Sequence, residues 1–115
     1  ADDTGTLIFD EVDTGIGGRL GHVVGEKLAA LASTHQVLCV THLPQLAVMA
    51  DIHFEIDKKT EGGRTFTYVN ELGLEGRKKE LARLIGGEHI TETTLASAAE
   101  QLKAAEEYKR NKIIR

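Results

Sequence analysis

The sequence predicts an α/β fold, a parallel βαβ core followed by a β-hairpin and C-terminal helices. Thr6-Leu7-Ile8-Phe9-Asp10 and Gln36-Val37-Leu38-Cys39-Val40 are short, nearly unbroken apolar runs, the pattern of parallel strands covered on both faces. Between them Leu20, Val23, Val24, Leu28, Leu31 and Ala32 recur at helical spacing. Strand, helix, strand in this order makes a right-handed crossover, so the two strands are parallel and their carboxyl ends share one sheet edge.

Composition narrows the class. A chain of 115 residues is one domain or part of one. Its formal charge of −4 provides no basic field to draw in nucleic acid or an anionic membrane. The basic clusters Arg77-Lys78-Lys79 and Lys109 to Arg115 read as solvated helix faces and ends. Cys39 is the single cysteine, so no disulfide forms within the chain. With neither a signal sequence nor a membrane span in evidence, the expected location is cytoplasmic. A parallel strand that belongs at the centre of a sheet begins at Thr6, after only a short polar lead. Such a strand needs neighbours on both sides, which predicts a piece of something longer.

The first strand ends in Asp10-Glu11, where open α/β sheets bind their ligands, and alternation turns the two carboxylates in opposite directions. An acidic pair here either begins a turn or cap, or does chemistry. In the chemical case one carboxylate holds Mg²⁺ through its waters, and the other polarises an attacking water, a task worth roughly 10²–10⁴-fold in rate. Gly15, Gly17, Gly18 and Gly21 follow in a loop whose backbone can approach a ligand or partner closely. It lacks the third glycine of a dinucleotide fingerprint, and no Gly-x-x-x-x-Gly-Lys-Ser/Thr phosphate loop occurs anywhere.

An amphipathic helix from Arg19 to about Ser33 is expected to lie on the sheet. The second strand, Gln36 to Val40, ends in Thr41 and His42, beside the ends of the first. An imidazole there can donate a hydrogen bond to a phosphoryl group at neutral pH. Pro44 suits a first helical turn, with a short helix from Gln45 to Ala50. His53 to Asp57 and Thr65 to Glu71 alternate as a hairpin about Thr60 to Arg64, with Phe54 and Ile56 expected to pair on one face with Phe66 and Tyr68 in a core. A helix from about Glu75 to Ile85 ends at Gly86-Gly87. Thr91 caps a last helix that carries the stripe Leu95, Ala98, Ala99, Leu102 and Ala105 to about Arg110. The stripe is too short and alanine-rich for a coiled coil.

The strand ending in Asp10-Glu11 resembles the Walker B motif of ABC-type P-loop ATPases, and His42 resembles their switch histidine. Thr6 to Gly18, Val37 to Gln45 and Ala50-Asp51 together are similar to the C-terminal part of the head domain in the bacterial RecN family, DNA repair proteins of the SMC-like branch of ABC ATPases. The similarity continues through Arg83 to Gly87 and Ile90-Thr91 to Thr94-Leu95. Its most specific part is Asp10-Glu11-Val12-Asp13-x-Gly15-Ile16-Gly17-Gly18. Transporter subunits have a Ser-Ala-Leu-Asp type of D-loop, and Gly17 stands where their aspartate would.

This resemblance implies that residues 1–115 are the C-terminal half of an ABC-type P-loop ATPase head, with Walker B, D-loop and switch histidine present and Walker A and signature elsewhere. It implies ATP and Mg²⁺ as cofactors, Asp10 as the metal and nucleotide residue, Glu11 as catalytic base and His42 as γ-phosphate partner. Gly15, Gly17 and Gly18 would face a second head in an ATP-dependent dimer, while Asp13 either orients that loop or faces solvent. The other implied partners are the N-terminal half of the same head and, through the full-length protein, DNA in the nucleoid. No membrane is implied. Leu84-Ile85-Gly86-Gly87-Glu88 looks like the ABC signature, but Ile85 replaces its serine and the run follows Walker B instead of preceding it, so it reads as a helix cap.

On this reading the segment alone does not hydrolyse ATP, because phosphoryl transfer rests on a phosphate cradle that it lacks. Two other classes fit parts of the pattern. One is a self-sufficient metal-dependent phosphohydrolase with Asp10 and Asp13 as ligands and His42 as acid or base. The other is a non-catalytic dimerisation module.

Overall fold

Two strands of equal length lie side by side in parallel, β1 (Thr6–Asp10) and β2 (Gln36–Val40), in an unbroken register from Thr6 opposite Gln36 to Asp10 opposite Val40. The computed structural model describes residues 5–10 and 18–112. α1 (Gly18–Leu31) makes the connection between the strands, as the crossover rule requires. Then come the short α2 (Pro44–Ala47), an antiparallel hairpin of β3 (Phe54–Glu61) and β4 (Arg64–Glu71), and two helices, α3 (Leu74–Gly86) and α4 (Glu92–Lys112). The order is the α/β order expected, with small parallel and antiparallel sheets and helices at the C-terminal end.

The buried core lies among the helices. Leu81 and Ala82 of α3 meet Ala98, Leu102 and Ala105 of α4, and Ala47 to Met49 and Ala29 of α1 close the cluster. Alanine dominates because the helices approach closely, and small side chains are what a close approach admits. α4 is opened by Thr91, whose Oγ1 accepts the Thr94 N–H at 3.1 Å while Thr94 Oγ1 accepts the Thr91 N–H at 2.9 Å. This is a capping box with threonine in the returning position. α3 stops where Gly87 takes φ +83° and returns its N–H to the Arg83 carbonyl at 2.8 Å.

Three expectations are corrected. β1 and β2 are not covered on both faces: Leu7, Phe9, Val37 and Cys39 are half-buried, but Ile8 is 70% exposed, Leu38 46% and Val40 47%. Among the described residues the parallel sheet has only these two strands, and the side chains of Ile8, Leu38 and Val40 on its second face stay exposed. α1 buries only part of the expected stripe: Val24, Leu28 and Ala32 are half-buried, Leu20, Val23 and Leu31 stay exposed, and the fully buried positions are Gly21, Gly25 and Ala29, turned toward α2. The hairpin aromatics do not share a face. Ile56 stands opposite Val69, whereas Tyr68 stands opposite Asp57 and Phe66 opposite Lys59, on the other side of the ribbon. The strands run on to a two-residue turn at Gly62-Gly63, with φ of +57° and +80°, and that turn sets the register. Phe54, Ile56, Phe66, Tyr68 and Val69 are all exposed and form no core.

Candidate functional site

Asp10 and His42 come to the same sheet edge. Asp10 is the last residue of β1, paired with Val40, the last of β2, and Thr41-His42 follow directly. Both Asp10 and His42 are exposed, as residues that meet a ligand must be. The half-buried Thr41 bends the chain after β2, its Oγ1 accepting the Leu43 N–H at 3.0 Å. Pro44 then opens α2 at the position where its missing N–H costs no helical bond. Of the other predicted site residues, Gly18 is the first residue of α1, and Glu11, Gly15 and Gly17 lie outside the described residues, as does Asp13.

Behind His42, α2 is anchored by cations from distant parts of the chain. Arg77 of α3 donates to the carbonyls of Ala47 at 3.3 Å and Ala50 at 3.0 Å. Lys109 of α4, only 5% exposed, donates to the carbonyls of Met49 at 3.2 Å and Ala50 at 3.4 Å and to Asp51 Oδ1 at 3.1 Å. The Ala47 carbonyl, which ends α2, also accepts the Ala50 N–H at 3.2 Å, and Met49 and Ala50 lie in the turn beyond, so the two cations tie down the helix end and the turn that follows it. Burial holds the Arg77 guanidinium below its ordinary range, against the pull of Glu106 and Asp51.

Arg77 in turn acts on His53. Burial, together with the Arg77 charge, keeps the His53 imidazole below the usual histidine range, with Glu80 opposing. Glu80 is engaged elsewhere, accepting from Arg83 through two bonds at 2.8 and 2.6 Å, and that bonding is what raises the Arg83 guanidinium. A cavity of about 600 Å³ opens between β2, α1, the segment after α2, the hairpin base and α3, with Cys39, His42, His53 and Phe54 in its wall.

Sequence reasoning missed Arg77 and Lys109, which it read as parts of solvated basic runs. The signal was present. Lys109 continues the helical spacing of Ala98, Leu102 and Ala105, and Arg77 stands one turn before Leu81. A cation in phase with an apolar stripe points inward with it.

Among the described residues no group of three His, Cys, Asp or Glu side chains is placed to hold a metal ion, and no helix is long and apolar enough to cross a membrane. An exposed carboxylate at a strand end, such as Asp10, nevertheless suits Mg²⁺, which keeps several waters and takes one or two carboxylates together with substrate phosphates.

No family model matches the chain. Curated relatives do. The chain is 45% identical over 102 residues to the DNA repair protein RecN of Xylella fastidiosa, covering 89% of this chain and 18% of that protein. Against the DNA repair protein RecN of Vibrio cholerae the identity is 52% over 103 residues, 90% of this chain and 19% of the relative. Against that of Bacillus subtilis it is 44% over 107 residues, 93% of this chain and 19% of the relative. The chain thus spans under a fifth of the length of the relatives it matches.

Proposed function

Taking as premise that nearly the whole chain is similar to a segment of RecN, we propose that it is the C-terminal segment of the ATPase head of a RecN-like DNA repair protein. The observation that carries this reading is the in-register parallel pairing of β1 with β2, which brings the strand end bearing Asp10 and the one bearing His42 to one edge. Asp10 would hold Mg²⁺, which would supply positive charge to the phosphates. Glu11 takes the proton of the attacking water. His42 donates a hydrogen bond to the γ-phosphate, where charge develops. Gly15, Gly17 and Gly18 form the loop that meets the second head of an ATP-dependent dimer.

The exposed second face of the parallel sheet, with Ile8, Leu38 and Val40, supports the same reading. It is the surface that the N-terminal half of the head covers. DNA, repair and recombination belong to the full-length protein, which acts in the cytoplasm on the nucleoid.

The test is Mg²⁺-dependent ATP hydrolysis by this chain and by the full-length protein that carries it, each with and without Glu11→Gln. The expected result is turnover in the full-length protein only, lost with Glu11→Gln by at least the roughly 10²-fold that a general base contributes. Turnover of simple phosphate esters by the short chain would instead favour a self-sufficient metal phosphohydrolase. Self-association indifferent to nucleotide and to Glu11→Gln would favour a dimerisation module.

A further inference from the structure

We propose that Lys109 and Arg77 are positioning residues for His42, holding the arc that carries it at the far end from β2. The inference rests on the reading of His42 as the γ-phosphate partner. His42 sits in a short arc between two elements. One is β2, paired to β1 through Val40. The other is α2, a helix of only four residues, too short to hold its own orientation. Four cation-to-carbonyl hydrogen bonds and one ion pair converge on the end of α2 and the turn after it, from residues 27 to 60 positions away in sequence.

Their cost argues for a purpose. An ammonium group taken out of water loses several kcal/mol of solvation, and apolar side chains of similar volume commonly serve stability as well or better. An unmatched charge in that position would be worse, so Asp51 and the carbonyls of Met49 and Ala50 surround it. What a cation supplies and a leucine does not is direction: the bonds of Lys109 to specific carbonyl oxygens fix the turn after α2, and the bond of Arg77 to the Ala47 carbonyl fixes the end of α2 itself. α1 seals the other side of the same helix, where a Cβ on Gly25 would come within 2.8 Å of the Gln45 carbonyl. Only Leu43 separates His42 from α2, so the placement of α2 bears on the placement of His42.

The experiment is a double-mutant cycle on ATP turnover by the full-length protein, crossing Lys109→Met with His42→Ala, with thermal unfolding as a control for folding. Expected is a fall in kcat of roughly tenfold or more for Lys109→Met, toward the ~10²-fold that a misplacement of 1 Å costs, with KM for ATP unchanged. In the His42→Ala background the same substitution should change kcat by less than about twofold, because its route to the chemistry has gone. Equal losses in both backgrounds, or no loss in either when His42→Ala alone is impaired, would overturn the proposal. Should His42→Ala itself leave turnover intact, the assignment of His42 is what fails, and the positioning role falls with it. Arg77→Lys, which shortens the reach to the Ala47 and Ala50 carbonyls while keeping the charge, is the second variant. It is judged by the same coupling if Lys109→Met does not fold.

Discussion

At the scale of single residues, charge placement is what distinguishes this chain from an ordinary helical packing. His53 is the residue to titrate. Its imidazole is held below the usual value by burial and by Arg77, so the folded state binds this proton less readily than the unfolded chain does. Stability from this residue is fully present above the unfolded-state value near 6.5, and is lost as pH falls from there toward the folded-state value. Urea unfolding of wild type and His53→Gln between pH 7.5 and 5 should show a decline in the wild type that is shallower in the variant. A parallel decline in both would mean that His53 is not its source. Thr91 makes a separate prediction. Thr91→Ala removes the acceptor for the Thr94 N–H and should cost about 1 kcal/mol in the same measurement. The cap was legible in the sequence because threonine before an apolar stripe has a local meaning. His53 was not, since its surroundings come from α3, far along the chain.

At the scale of elements, the contact between α1 and α2 is set by what is missing from α1. The apolar spacing located the helix correctly, and Val24, Leu28 and Ala32 of the stripe are half-buried, but Leu20, Val23 and Leu31 are exposed and the fully buried positions are Gly21, Gly25 and Ala29. Hydrophobic periodicity registers large side chains and is silent about close backbone contacts made by small ones. Gly25→Ala tests this. Alanine ordinarily stabilises a helix interior over glycine by up to about 1 kcal/mol. Here its Cβ would sit 2.8 Å from a backbone carbonyl oxygen and 3.3 Å from Met49 Cγ, so the substitution should destabilise by about 1–3 kcal/mol. Gly76→Ala in α3 is the control. Its Cβ would meet the flexible Leu72 side chain first, at 3.3 Å, and thermal unfolding should show a neutral or favourable change. The hairpin faces went wrong in the sequence for a related reason. Which residues oppose one another depends on the turn, and one residue of register moves Phe66 and Tyr68 across the ribbon.

For the whole molecule, the two sheets and the helical core divide the labour unevenly. The order of elements and the shared edge of Asp10 and His42 were legible from periodicity and the handedness of the crossover, both local rules. The location of the core was not, because covering a parallel sheet on both faces takes more strands and helices than the described residues contain. That unevenness has a measurable form. Leu38→Lys should change the stability of the short chain by no more than about 0.5 kcal/mol, as exposed positions do. In the full-length protein the same change should cost at least about 2 kcal/mol, the scale of a buried leucine lost. Equal effects in both would show that the sheet face stays in water throughout. The turn at Gly62-Gly63 leads to a different use. Apart from their immediate chain neighbours, no atom lies within 4 Å of where a side chain on either glycine would begin. The tip of the ribbon is therefore a place where an epitope or a fluorescent reporter can be spliced in with α2 and its anchors left intact, a handle on the molecule that leaves its helical core undisturbed.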